Sequence, residues 1–482
     1  MINSRTSNTA LTVLVALVIV VYGLAAFFST GYNHFDEHFQ ILEFSQYKMG
    51  VLSKADLPWE FKEQMRSALQ PSMVYLLQRI FSSFDPFTIA FILRLLSATL
   101  SICAATLLTY SLKPMFPTFS TFYNFHKSSN EKKFLNYYIL ITFFTWFGVL
   151  QAVRFSSENW SGQFFVIGLA ILLPSITPRF TLFASSYWRF LFTGFCLGLA
   201  FCFRYHTGIL IAGLLLWSLF IGKIHLRFLL TIVLGICSAI TLELFVDRWF
   251  YGNWVLPQIN YFVQTLVLDK VSSFGIEPWW FYFWKVFIRA IPPIGLTIII
   301  AFFYLIITKP KSMLVWVTVP FLLIHTGIGH KEIRFVFPLI PLIPLLFLET
   351  AQLLISHPRL AKFLLVCNGI ALLIIIFRPV DNYISVYQQI YRDYPLAKVL
   401  YTTAPNPYQR ILPITYYKRP TLKVIETPVP FPICSQPSVC LFITNTESSP
   451  PKNSPWRLVF RKYEHYPSFV KKMLSPYSLY YF

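Results

Sequence analysis

Long apolar runs recur from the first residues to about residue 377, separated by short polar segments. Runs of this kind predict helices that cross a bilayer, each needing about 20 residues. A β-barrel would alternate apolar and polar positions instead. The runs fall at 10–28, 87–112, 134–152, 162–175, 190–203, 207–222, 226–245, 281–307, 313–327, 335–355 and 362–377. The pattern predicts an all-α polytopic membrane protein with about eleven transmembrane helices. Three longer polar segments stand out. Residues 29–86 carry amphipathic helical patterns at 34–50 and 57–70. Residues 246–280 are aromatic-rich and hold Asp247, Arg248, Trp279 and Trp280. Residues 378–482 are rich in Pro and Tyr, with β-like runs such as 438–444. The domain reading is therefore a membrane domain over 1–377 and a small C-terminal domain over 378–482.

Charge assigns sides to these loops. With the N-terminus in the cytosol, every cytosolic loop is basic: Lys113 and Lys127, Arg179 and Arg189, Lys223 and Arg227, Lys309 and Lys311, Arg359 and Lys362. That asymmetry is what orients membrane helices. It also accounts for the net charge of +20, which in a soluble chain would suggest nucleic acid; no nucleic-acid partner is expected. The run at 10–28 reads as an uncleaved anchor, because an acidic motif begins a few residues after it. Arg154, Arg204, Lys331 and Arg334 fall in outside loops, against the orienting rule. Cys434 and Cys440 lie together in the tail, where a disulfide is permitted outside the cytosol.

The acidic motif is His34-Phe35-Asp36-Glu37-His38-Phe39-Gln40. Titratable residues at a membrane edge are costly and signal function. Other outside loops supply Arg66; Arg154, Ser157 and Glu158; Arg204, Tyr205 and His206; and His330, Lys331, Glu332 and Arg334. A carboxylate can take a proton from a hydroxyl as general base. Cationic side chains can hold a phosphate that departs with negative charge. Together they suggest glycosyl transfer from a polyprenyl-phosphate sugar to an acceptor hydroxyl. Plainer roles also fit these residues. Asp36 and Glu37 would serve as first-turn acids of a helix or as ligands of a hard cation. His34 and His38, four apart, would share a helix face, although HExxH is absent. Lys331 and Arg334 would snorkel to the interface.

At these motifs the chain resembles the polyprenyl-phosphate-mannose-dependent mannosyltransferases of the GT-C superfamily, which act on glycosylphosphatidylinositol and N-glycan precursors. The family's His-Pro-Asp-Glu, aromatic pair and Gln match residues 34–40, with Phe35 in place of Pro and His38 in the first aromatic place. Its Trp-Glu…Arg-Ser…Pro stretch matches Trp59, Glu60, Arg66, Ser67 and Pro71. Arg154-Phe155-Ser156-Ser157, Asp247-Arg248-Trp249-Phe250-Tyr251-Gly252 and Phe274-Gly275-Ile276-Glu277-Pro278-Trp279 match further elements, and His330-Lys331-Glu332-Ile333-Arg334-Phe335 is the most specific.

The resemblance implies a GT-C fold and a metal-independent, inverting transfer with no cofactor. It implies Asp36 as base, with Glu37 as substitute or orienting partner. It implies donor-phosphate contacts by His330, Lys331 and Arg334; the outside-loop cations Arg204 and Arg66 are read as joining them. His34, His38, Gln40, Arg154, Glu158 and Glu332 are read as acceptor-binding or supporting groups. The partners implied are a polyprenyl-phosphate sugar donor, a glycan or glycolipid acceptor and the lipid bilayer, with the site on the non-cytosolic face. The single sequon, Asn159-Trp160-Ser161, sits in a tight loop, which leans toward a bacterial cytoplasmic membrane over the endoplasmic reticulum. A transporter of an anionic or lipid-linked solute and a non-catalytic glycolipid-binding relative are the alternatives. Against a transporter, the charges gather at one membrane face and no repeated halves are visible.

Overall fold

The structure, a computed structural model, describes residues 2–113, 128–176, 186–381, 383–403, 406–428, 431–432, 434, 440–444, 456–461 and 478–481. Lys127, Arg179 and Ser438 lie outside the described residues. The chain divides into two compact units. One comprises Met1–Ser29, Glu63–Met73 and Ala90–Arg378; the other comprises Thr30–Lys62, Val74–Ile89 and Pro379–Phe482. The tail beyond residue 378 thus shares a unit with much of the first polar segment.

The first unit is a helical bundle, and each apolar run of the sequence is helical in it. Among the described residues, four helices are long and apolar enough to cross a membrane: Leu11–Phe28, Pro86–Leu112, Leu226–Tyr251 and Pro358–Ile376. The count rises to six when each of two bent pairs is taken as one span. Apolar side chains such as Leu11, Phe220, Leu234 and Leu373 face outward, as lipid-exposed helices require.

Small residues set the closest packing. The helices Tyr187–Phe203 and Leu226–Tyr251 meet along Gly194, Gly198 and Gly235. A Cβ on Gly194 would lie 1.9 Å from the Ile232 carbonyl oxygen, and one on Gly235 would lie 2.1 Å from that of Leu191. Only glycine lets the backbones approach this far, and Gly194 and Gly198 stand at the four-residue spacing that membrane helices use for it.

The expected span 134–152 bends by 46° at Thr145. The bend frees a donor and an acceptor, and one amide satisfies both. Asn368 accepts from the Trp146 N–H at 3.0 Å and donates to the Phe144 carbonyl at 2.7 Å.

Several expected boundaries are corrected. The run 281–307 is two helices, Phe281–Arg289 and Pro292–Thr308, broken at Ile291 (φ +71) ahead of two prolines. The run 335–355 is a 3-10 stretch Ile333–Leu342 followed by two short helices, Ile343–Glu349 and Ala351–Ile355. Pro338, Pro341 and Pro344 remove the donors a continuous helix needs. The helix expected at 226–245 continues to Tyr251 and stops at Gly252 in the left-handed conformation, so Asp247 and Arg248 are helical rather than loop residues. The amphipathic pattern at 57–70 forms only the short helix Trp59–Lys62, and Gln64 then adopts φ +48. A separate helix, Leu69–Ile80, follows where loop was expected.

In the second unit, Glu37–Leu42 forms a π-helical turn that runs into the helix Glu43–Lys48. The tail is not all-α; it holds a sheet. Its strands are β1 (Val399–Thr402), β2 (Lys423–Glu426), β3 (Cys440–Thr444), β4 (Arg457–Arg461) and β5 (Ser478–Tyr481), in the order β2-β1-β3-β5-β4. β1 runs parallel to β2 and β3, while β5 is antiparallel to β3 and β4. Cys434 and Cys440 are joined by a disulfide that packs with Phe442 and Trp456. The protein is therefore mostly helical, with a small C-terminal sheet.

Candidate active site

In the second unit, Asp36 leads into the π-helical turn, a local widening often found at functional sites. Its side chain makes no capping bond to that turn. The half-buried carboxylate lies 3.9 Å from His34 Nδ1. Glu37 is differently engaged: it is buried and its Oε2 accepts the Asn33 N–H at 3.1 Å. Of the two carboxylates, Asp36 is the more accessible and Glu37 the more structural. His38 is fully enclosed, with Nε2 2.8 Å from Glu43 Oε1, and Gln40 donates to Glu60 at 3.1 Å.

In the first unit, three elements converge. Arg204 ends the helix Tyr187–Phe203 in extended conformation, Glu158 lies in the first turn of Ser157–Ile176, and Arg334 begins the 3-10 stretch. Glu158 Oε1 is 3.3 Å from Arg204 Nη2 and 3.9 Å from Arg334 Nη1. The other edge of Arg334 makes a fork onto Glu332, at 2.7 and 2.8 Å. Both guanidinium carbons stand over the Phe335 ring, at 5.6 and 5.5 Å from its centroid. Each of the two like charges thus faces the Glu158 carboxylate and the Phe335 ring, which offset their mutual repulsion.

The segment before Arg334 is bonded within itself and to the 274–279 motif. Lys331 donates to the carbonyls of Glu277, Ile328 and Gly329 at 2.7, 2.6 and 3.4 Å. Burial draws its ammonium below the usual lysine range, with Glu277 opposing. His330 places Nδ1 2.9 Å from the Gly275 carbonyl and Nε2 3.3 Å from Glu332. The Glu277 N–H bonds the Gly329 carbonyl at 3.0 Å. The motifs at 274–279 and 330–335, distant in sequence, thus dock on each other.

A second docking joins the Arg66 and Asp247 motifs. Asp247 Oδ1 accepts the Ala68 N–H at 2.7 Å, and the Tyr251 hydroxyl donates to the Arg66 carbonyl at 2.7 Å. The Arg66 guanidinium lies 5.4 Å from the Tyr261 ring centre. Glu243, one turn before Asp247, is buried against Tyr205 and Gln258. Arg154 stands apart from these clusters, donating to the Ser29 carbonyl at 2.8 Å.

Sequence reading passed over Glu243 and Glu43, and named Phe335 in its motif without a role of its own. Glu243 carried a signal, an acid inside an apolar run. Glu43 carried none, because an acid in an amphipathic stretch reads as a solvated face. Among the described residues, no three His, Cys, Asp or Glu side chains are grouped to hold a metal ion.

Comparison with known proteins places the chain. Residues 12–421 match the model of the Alg9-like mannosyltransferase family. A Schizosaccharomyces pombe protein described as a probable Dol-P-Man:Man(7)GlcNAc(2)-PP-Dol alpha-1,6-mannosyltransferase is 31% identical over 114 residues, 23% of this chain and 20% of that protein. Human GPI alpha-1,2-mannosyltransferase 3 is 25% identical over 316 residues, 64% of this chain and 51% of that protein. GPI mannosyltransferase 3 of Trypanosoma brucei brucei is 25% identical over 393 residues, 75% and 67% of the respective chains. The chain thus spans a fifth of the fission-yeast protein's length and about half of the human one's. Among solved structures, ArnT from Cupriavidus metallidurans, crystallised with undecaprenyl phosphate, aligns over 86% of both chains with a TM-score of 0.51 at 10% identity. The fold is of the ArnT-like GT-C type, and the protein is a multi-pass integral membrane protein. The chain belongs to the Alg9-like mannosyltransferase family.

Proposed function

We propose that the protein transfers mannose from a polyprenyl- or dolichyl-phosphate carrier to a hydroxyl of a lipid-linked glycan or glycosylphosphatidylinositol precursor. The observation that carries this reading is the buried Arg204–Glu158–Arg334 cluster over Phe335. Two guanidiniums held in place by Glu158 and Glu332 suit a phosphate that gains negative charge as it leaves. In the reaction, the acceptor oxygen forms a bond to the anomeric carbon from the face opposite the phosphate. The bond from that carbon to the phosphate oxygen breaks, and the lipid phosphate departs with the electron pair. Asp36 takes the acceptor proton, and the anomeric configuration inverts.

Within this reading, Arg204 and Arg334 hold the phosphate and Arg66 assists. His330 and Lys331 shape the loop that presents Arg334, since their polar atoms engage Gly275, Glu277, Ile328, Gly329 and Glu332. Glu37, His34, His38 and Gln40 support the Asp36 turn, Glu158 and Glu332 orient the arginines, and Arg154 fixes the end of the first helix. No metal is assigned.

The eleven apolar runs are assigned as crossings, several of them bent or broken, with the Asp36 turn and the tail on the non-cytosolic side. The Cys434–Cys440 disulfide fits that side. Asn159 is buried, its amide donating to the carbonyls of Ala152 and Arg154. An unmodified sequon is then expected in a bacterial membrane and in the endoplasmic reticulum alike, so the leaning toward the former loses its ground.

The test is transfer of labelled mannose from dolichyl-phosphate mannose to a synthetic mannosylated inositol glycolipid by the purified full chain. Wild-type protein should turn over and Asp36→Asn should lose about 10²–10⁴-fold in kcat. Wild-type rate in Asp36→Asn would remove the base assignment.

A further inference from the structure

The acidic heptad is braced on both flanks by one stretch of the tail. After Asp36, the brace centres on Glu43. Its buried carboxylate accepts the Thr415 N–H at 2.8 Å, the Tyr416 N–H at 3.1 Å and the Thr415 hydroxyl, and meets His38 Nε2 at 2.8 Å. Four groups thus meet this one carboxylate, three of them at Oε1 and one at Oε2. The enclosed His38 ring stacks on Tyr417, with centroids 5.6 Å apart, and packs on Tyr32 at 5.0 Å.

Before Asp36, the Thr30 carbonyl accepts the N–H groups of Val380 and Asp381 at 3.0 and 3.1 Å. Asp381 holds Arg410 at 2.8 Å, and Arg410 also donates to the Tyr32 hydroxyl. Gly31 takes φ +89, and a Cβ there would lie 2.4 Å from the Asp381 Cβ, so the close approach requires glycine. The family match ends at residue 421, which places Asp381, Arg410 and Thr415 inside it and β2 through β5 beyond it.

We propose that Asp381, Arg410 and the segment Thr415–Tyr417 belong to the catalytic apparatus, with His38, Glu43 and Thr415 as positioning residues that hold the Asp36 turn in its working geometry. The inference rests on Asp36 being the base. It also gives a reason for histidine at position 38: its ring stacks on Tyr417 and adds a bond to Glu43 that phenylalanine could not make. A glutamine at 43 keeps an acceptor for the Thr415 and Tyr416 N–H groups but gives up the carboxylate's charge, so it weakens the brace while keeping the size.

Two measurements on the full chain in lipid nanodiscs decide it. In hydrogen exchange, Glu43→Gln should raise exchange of the amides of residues 36–42 about tenfold. Thr415→Val should raise it less, and Thr415→Ser should restore wild-type protection. Unchanged exchange in both Glu43→Gln and Thr415→Val overturns the brace, and Thr415→Val keeps the test open where Glu43→Gln fails to fold. In mannose transfer from dolichyl-phosphate mannose, kcat of Glu43→Gln should fall by up to about a hundredfold with the donor KM unchanged. A wild-type kcat alongside raised exchange overturns the positioning role. Absence of transfer by the wild type sinks the glycosyl-transfer reading instead, and the exchange data still decide the brace.

Discussion

Glu158 and Arg204 form an ion pair at 3.3 Å with both side chains almost fully enclosed. Such a pair contributes little net stability over an apolar replacement, because desolvation offsets attraction. Removing one partner is another matter, since a buried charge is left uncompensated. Glu158 also faces Arg334, so its loss leaves two guanidiniums around one ring. Glu158→Ala should destabilise the protein by about 3–5 kcal/mol, while Glu158→Gln, which keeps an acceptor, should cost less. Thermal unfolding in detergent checks this; equal melting of the alanine variant and wild type would contradict it.

Arg334 offers a planar fork that Glu332 already engages on two atoms. Lysine keeps the charge and loses the fork. Arg334→Lys should therefore raise the donor KM by about tenfold or more, as lost charge-assisted bonds do. A donor titration at saturating acceptor measures it. An unchanged KM would move the phosphate away from Arg334.

How far the sequence reached follows from what each signal depends on. Apolar runs are local, so all eleven appear as helical segments, down to the 313–327 boundaries. Hydropathy does not see hydrogen-bond donors, so the proline-broken run 335–355 read as one span. The charge pattern of the outside loops put Arg204, Glu158 and Arg334 forward together. It could not separate arginines that meet Glu158 from Arg154, whose guanidinium turns to the Ser29 carbonyl, 125 residues away. Nor could it find Glu43, whose tail partners lie more than 370 residues on.

Gly194 tests the packing of the bundle. Its missing Cβ would sit 1.9 Å from a backbone oxygen, and a backbone atom cannot swing aside as a flexible side chain can. Gly194→Ala must separate the two helices. Overpacking of this kind costs about 1–3 kcal/mol or more. Arg204 ends the helix that carries Gly194, so lost stability should come with a raised donor KM. Alanine at Gly327, which has nothing within 4 Å of its Cβ position, is the control. Equal thermal stability of the two variants would count against the close contact.

Sidedness is the coarsest test of the functional reading. Single cysteines at 36 and 332, introduced into a chain with its free cysteines removed, should both react with a membrane-impermeant thiol reagent applied to the non-cytosolic face of sealed vesicles. Labelling of one position from each face would separate Asp36 from the arginines and end the proposal that they serve one reaction.

Asp247 separates two uses of a buried carboxylate. Oδ1 receives the Ala68 N–H, and Oδ2 is enclosed with no hydrogen-bond partner among the described residues. If the side chain matters as an acceptor, asparagine does the same work: its oxygen takes the Ala68 N–H and its amide replaces an oxygen that engages no donor. Asp247→Asn should then be close to neutral in stability. Asp247→Ala leaves the Ala68 N–H unpaired beside Arg66, at a cost of about 1–3 kcal/mol. Because Tyr251 holds the Arg66 carbonyl on the same side, the alanine variant should loosen the 66–68 segment without unfolding the helix. Thermal unfolding combined with amide exchange at Ala68 distinguishes the cases. If asparagine costs as much as alanine, the negative charge itself is required there, and Asp247 has a role beyond holding the chain.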